Sequence, residues 1–153
     1  MTILDVIKKI DEKRNEKLLI LVRGIPGSGK STIAKLLSLQ FGFNHIETDM
    51  FFINKKGVYS FEKERLREAH SWCQQKTEKW LNSGNNVIVS NTFVKKWEIN
   101  IYEQLAKNYG YELFIIEATG NFVNVHGVPK ETVDRMKNDF ESKHSHYVLS
   151  SGN

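Results

Sequence analysis

The sequence predicts an α/β domain: a parallel sheet of four or five strands with helices on both faces. Two observations carry this. Short apolar runs alternate along the chain with longer segments whose apolar residues recur at helical spacing. The runs are apolar throughout rather than every second residue, as expected of strands covered on both faces and joined by crossover helices.

Each element has its own signal. Ile3, Val6, Ile7 and Ile10 mark an amphipathic helix within residues 1–16. Residues 18–22 are the first continuous apolar strand, and residues 31–41 form a helix through Ile33, Ala34, Leu36, Leu37 and Phe41. A short strand is expected at 45–49. A helix follows over 61–81, with Leu66, Ala69, Trp72, Cys73 and Trp80 on one stripe, stopping at Ser83-Gly84-Asn85. Residues 87–90 give a further strand, 95–109 a helix capped by Gly110, and 113–118 another buried strand. Pro129 opens a last helix, because its missing N–H is one that the first turn leaves unpaired anyway. Residues 142–153 read as a C-terminal tail. With 153 residues and no linker or repeat, the whole chain reads as a single domain.

Composition excludes several classes. Hydrophobic residues make up 40% and charged residues 26%, ordinary globular usage that leaves no place for disorder or collagen-like repeats. Cys73 is the sole cysteine, so no internal disulfide can form, and a reducing, cytoplasmic setting is expected. No segment approaches the ~18 apolar residues of a membrane span, and the first residues lack a signal-peptide pattern. The net charge of +4 mildly favours an anionic partner.

The most specific segment lies between the first strand and its helix. Gly24-Ile25-Pro26-Gly27-Ser28-Gly29-Lys30-Ser31, followed by Thr32, fits G-x-x-x-x-G-K-[ST] without a mismatch. The glycines let successive backbone N–H groups wrap an anion. Lys30 supplies charge to the β- and γ-phosphates, Ser31 a hydroxyl for Mg²⁺, and the helix aims its positive end at the same place. Strand before and helix after are the context this motif requires, and together they imply a P-loop nucleoside triphosphate hydrolase fold that binds a nucleoside triphosphate with Mg²⁺.

Phosphoryl transfer also needs a group that handles the acceptor. Asp49, at the end of the second strand, lies on the edge where open α/β sheets bind ligands, and it is read as a general base for a hydroxyl. A capping or solvated Asp is the plainer alternative. Glu47 and Glu117 are the other carboxylates at strand ends. Ser90-Asn91-Thr92 ends the third strand with neutral side chains, so a metal contact of Asn91 is expected to run through water.

These residues form a resemblance. GIPGSGKST (24–32), Thr48-Asp49, Ala69-His70, VIVSNT (87–92) and NVHGVP (124–129) recur in this order in the polynucleotide-kinase-like P-loop kinases, and the resemblance covers nearly the whole chain. It implies an ATP-dependent kinase acting on the 5′-hydroxyl of DNA or RNA, with Asp49 similar to the family's base. There are departures. Met50-Phe51-Phe52 replaces the family's second Asp, aromatic and basic residue, and Phe122-Val123 stands where a lid Arg usually precedes the NVHGVP box. Either Arg135, Lys130 or Lys137 substitutes for it, with Arg135 taken as the catalytic candidate, or the lid comes from elsewhere, or the enzyme is slow.

Other residues keep two readings. His126 either contacts nucleotide or fixes its turn. His70 is a partly buried helix histidine or an acceptor-site residue. Phe51, Phe52, Lys55, Lys56 and Tyr59 either stack a base and neutralise phosphate or form packing beside a solvated lysine pair. His45, His144 and His146 have no zinc-ligand spacing with a cysteine. Three functional alternatives stand beside the polynucleotide kinase: a nucleotide-binding switch, an ATPase module without efficient transfer, and a kinase for a small molecule or nucleotide sugar.

Overall fold

A computed structural model describes residues 1–120 and 128–149. Five strands are found among them: β1 (Leu18–Arg23), β2 (Asn44–Ile46), β3 (Val87–Asn91), β4 (Glu112–Glu117) and β5 (Tyr147–Val148). They form one parallel sheet in the order β2-β3-β1-β4-β5. The helices are α1 (Ile3–Asp11), α2 (Lys30–Phe41), α3 (Leu66–Asn82), α4 (Lys96–Tyr109) and α5 (Lys130–Asp139).

The alternation of side chains along β1 divides the core. Leu18, Ile20 and Val22 pack with Val6, Ile10, Ala34 and Leu37 of α1 and α2. Leu19 and Leu21 face Cys73, Leu81, Ile99 and Tyr102 of α3 and α4. Every residue of β1 is buried, which is why its sequence shows no polar alternation. Gly110 ends α4 in the left-handed region at φ 73, as the sequence predicted.

Three expectations need correction. The second strand ends at Ile46 rather than 49, and Thr48–Phe52 forms a 3₁₀ turn. The Thr48 N–H donates to the Asn91 side-chain Oδ1 at 2.8 Å, so the chain leaves the ladder there while its donor stays paired. The helix expected from 61 begins at Leu66, after a 3₁₀ turn at Lys63–Arg65 whose residues are all exposed. The C-terminal segment is not only a tail: Tyr147 and Val148 add a fifth strand beside Ile116 and Glu117. Two residues are too short for periodicity to register.

Arg23 continues the Leu19–Leu21 face at the end of β1 and is fully buried. Its guanidinium donates to the carbonyls of Phe93, Val94 and Glu141 and to Ser145 Oγ, and lies 4.1 Å from the centre of the Phe140 ring. It thereby joins β1, the β3–α4 loop and the segment after α5. Phe93, held by this arginine, has φ 46, a left-handed conformation that a bulky side chain rarely adopts.

Candidate active site

The phosphate loop runs from the end of β1 to the start of α2. Gly27 and Gly29 take φ 83 and 91, and Gly29 is the left-handed N-cap residue of α2. Gly24 is required by contact: a Cβ there would lie 2.2 Å from Ser28 Oγ and 2.9 Å from the Ala118 carbonyl. Ser28 is 2% exposed and its hydroxyl has no hydrogen-bond partner among the described residues. A glycine-lined turn with an unpaired buried hydroxyl at a helix N-terminus suits a bound anion. Ile25, Pro26, Lys30 and Ser31 are half-buried along this loop, and Thr32 is exposed.

The strand order brings β2 and β3 to one side of the loop, and with them two carboxylates. Burial lowers the Lys30 ammonium below the usual lysine range, opposed by the charges of Glu47 and Asp49. The phosphate loop and both carboxylates thus share one electrostatic environment at the C-terminal edge of the sheet.

Asp49 stands in the first turn of the 3₁₀ segment after β2, not in the strand itself. The Tyr59 hydroxyl donates to its Oδ1 at 3.4 Å. Tyr59 is carried by a loop that returns to pair with Ile53. Burial, with the Asp49 charge and hydrogen bond added, pushes the Tyr59 phenol up to about 12, so it donates throughout the physiological range. His70 is half-buried with Nδ1 3.4 Å from Thr48 Oγ1, and burial lowers its pKa.

Glu47 precedes that turn and is met by two side chains. Ser90 Oγ donates to its Oε1 at 2.6 Å, and His45 Nε2 lies 3.5 Å from the same oxygen. Burial pushes this carboxyl up, but its interactions with the neighbouring His45, Ser31 and Ser90 side chains outweigh it and bring it down to about 2. Neither the role of Glu47 nor that of Tyr59 was apparent in the sequence. The available signal was the i, i+2 relation of Glu47 to Asp49 beside a serine-ended strand.

Asn91 is 7% exposed and both ends of its amide are engaged, Oδ1 with Thr48 and Nδ2 with Cys73 Sγ at 3.8 Å. It braces the turn that carries Asp49. Arg135 is exposed on α5, and the cation that this helix contributes beside the loop is Lys137. Lys137 and Phe140 line a cavity of about 440 Å³ with Gly24, Ser28, Ala118 and Gly120. His126 and most of the NVHGVP box lie outside the described residues.

In the segment after Asp49, Phe52 is buried against Tyr59 and Phe61. Phe51 is half-buried, with the Arg65 guanidinium 4.7 Å from its ring centre. Lys55 and Lys56 are exposed on the intervening loop. The aromatic residues of that loop therefore divide between core packing and an accessible face.

Comparison with known proteins agrees with this architecture. A family model described as "AAA domain" matches residues 19–119. The chain is 32% identical over 136 residues to human NEDD4-binding protein 2, a match covering 81% of this chain but 8% of that protein. Shikimate kinase from Aquifex aeolicus superposes with TM-score 0.58 at 17% identity, covering 87% of this chain and 85% of that one. A chain of the Pnkp1/Rnl/Hen1 RNA repair complex gives TM-score 0.57 at 17% identity over 80% of this chain and 37% of that one. The fold is that of the P-loop kinases. Among the described residues no helix is long and apolar enough to cross a membrane.

Proposed function

Because the chain belongs to this AAA domain family, we propose that it is an ATP-dependent kinase transferring the γ-phosphate to a hydroxyl, most specifically the 5′-hydroxyl of a polynucleotide. One observation carries the reading: the phosphate loop that follows β1 and Asp49 in the turn that follows β2 stand at the same C-terminal edge of the parallel sheet. A phosphate held by Lys30 and a hydroxyl held by Asp49 then meet at the same sheet edge.

In this scheme the loop amides from Gly24 to Ser31 bind the phosphates, and Lys30 stabilises charge on the transferring group. Asp49 accepts the proton of the attacking hydroxyl, and the Tyr59 hydroxyl fixes the orientation of its carboxylate. The oxygen donors next to the loop suit Mg²⁺, with the Ser31 hydroxyl as its ligand. When bound, that ion neutralises charge shared between the β- and γ-phosphates. Lys137 lines the phosphate-loop cavity and takes over the lid role expected of Arg135.

A polynucleotide acceptor is supported by the motif order that the chain shares with polynucleotide kinases and by the accessible Phe51–Arg65 face near Asp49, suited to stacking a base. The structural likeness to a chain of an RNA repair complex points the same way. The buried free thiol of Cys73 suits the cytoplasmic setting that belongs to the proposal. The exposure of Arg135 favours a second reading, a nucleotide-binding module with little transfer. Incubation with γ-labelled ATP and a panel of 5′-hydroxyl DNA, RNA, nucleosides and sugars decides. Label on the oligonucleotides supports the proposal, label on a small molecule redirects it, and nucleotide binding without any transfer selects the second reading.

A further inference from the structure

In the region around Ser31, β3 ends in Ser90 and Asn91, neither of which can ionise. The pairing of Ile46 with Val89 brings the next residue of the neighbouring chain, Glu47, beside Ser90. Ser90 Oγ donates to Glu47 Oε1 at 2.6 Å, and His45 Nε2 lies 2.7 Å from Ser90 Oγ and 3.5 Å from Glu47 Oε1. Ser90 therefore donates to one carboxylate oxygen while His45 holds the Ser90 hydroxyl, and the pair fixes the side chain's orientation. Ser90 in turn pairs in register with Val22 of β1, two residues before the phosphate loop begins at Gly24. The Glu47 side chain is 12% exposed.

We propose that Glu47 is a direct carboxylate ligand of the divalent cation that accompanies the nucleotide, completing with Ser31 a hard-oxygen pair. The proposal rests on the phosphate-loop reading of this site and assigns the acidic metal ligand to β2 in place of β3. A structural explanation of the carboxylate fares poorly. Glu47 occupies the N-cap position of the Thr48–Phe52 turn, yet its side chain makes no capping hydrogen bond there. A carboxylate at this strand end stands next to the place where a triphosphate sits, and like charges there oppose binding. A divalent cation between them turns the repulsion into attraction, and carboxylate with hydroxyl is the donor set that Mg²⁺ and Mn²⁺ prefer. The hydrogen bond from Ser90, whose hydroxyl is itself held by His45 Nε2, then orients a ligand, as outer partners of metal-bound carboxylates do.

The test is calorimetric titration of ATP into wild type, Glu47→Gln and Glu47→Asp, first with a chelator and then with Mn²⁺. The Mn²⁺ resonance spectrum of each ternary mixture is recorded alongside. In chelator, Glu47→Gln is expected to bind ATP as well as wild type or better, since one negative charge has gone. With Mn²⁺, the tightening seen in wild type should fall about tenfold or more and the resonance should change. Glu47→Asp, which keeps the charge on a shorter arm, should fall between. Full Mn²⁺-dependent tightening and an unchanged resonance in a folded Glu47→Gln protein overturn the proposal. Melting curves establish folding; if the Gln variant is unfolded, the Asp variant decides by the same criterion. Absence of any ATP binding by wild type, with or without metal, overturns the nucleotide-binding reading and the proposal with it, whereas ATP binding with an unaltered metal effect in the variants overturns the proposal alone.

Discussion

The backbone N–H of Thr48 donates to Asn91 Oδ1 at 2.8 Å, so the end of β3 holds the turn that carries Asp49. This contact places the candidate base relative to the phosphate loop, because Asn91 pairs in register with Arg23 at the end of β1. Asn91→Ala removes the acceptor and leaves a buried N–H unpaired, at a cost of about 1–3 kcal/mol. A lowered melting temperature is expected, with phosphoryl transfer reduced more than ATP affinity. An Asn91→Ala protein with wild-type melting and transfer contradicts the bracing role.

Lys30→Ala separates ligand binding from folding. Burial disfavours the ammonium in the folded protein, so its removal should leave the melting temperature unchanged or raise it. ATP at a hundredfold excess over Kd stabilises a binding protein by about 2.7 kcal/mol, and the variant should lose most of that effect. Thermal melts with and without nucleotide check both halves.

The amount of this legible in the sequence follows from how each signal arises. The phosphate loop could be read because glycine spacing, Lys30 and Ser31 are dictated by local chain geometry. Strands β1, β3 and β4 were legible from uninterrupted apolar runs, whereas β5 has two residues and depends on long-range pairing with β4. Arg23 looked like the polar end of an apolar run; its partners lie about 70 to 120 positions away in the chain. Glu47 is similar: one carboxylate among many until β2 is aligned against β3. Residue type alone left Arg135, Lys130 and Lys137 as alternatives, and the orientation of α5 is what brings Lys137 to the cavity wall.

Arg23 should be the residue whose loss is felt most widely. Arg23→Met leaves the carbonyls of Phe93, Val94 and Glu141 without their shared donor, and releases a left-handed Phe93. Destabilisation of at least about 3 kcal/mol is expected. Denaturant unfolding checks the magnitude. Limited proteolysis should show faster cleavage after Phe140.

Glu47 predicts an acid-sensitive share of stability. Its folded carboxyl titrates at about 2 against an ordinary value of 4.5, so the native state binds fewer protons than the unfolded chain in that interval. The stabilisation is complete above 4.5 and is lost as pH falls toward 2. Its size is on the order of 3 kcal/mol. Metal-free Glu47→Gln should melt below wild type near neutrality, with the gap narrowing on acidification; a pH-independent gap contradicts the ionised assignment.

The central claim is that Asp49 is the base of a kinase built around Lys30, and Asp49→Asn tests it most directly. Asn keeps the size of the side chain and much of its hydrogen bonding while removing its basicity. With γ-labelled ATP and a 5′-hydroxyl oligonucleotide, transfer should fall by about 10²–10⁴-fold, with ATP affinity and melting temperature nearly unchanged. Transfer at the full wild-type rate in Asp49→Asn would remove Asp49 from the chemistry and contradict the account.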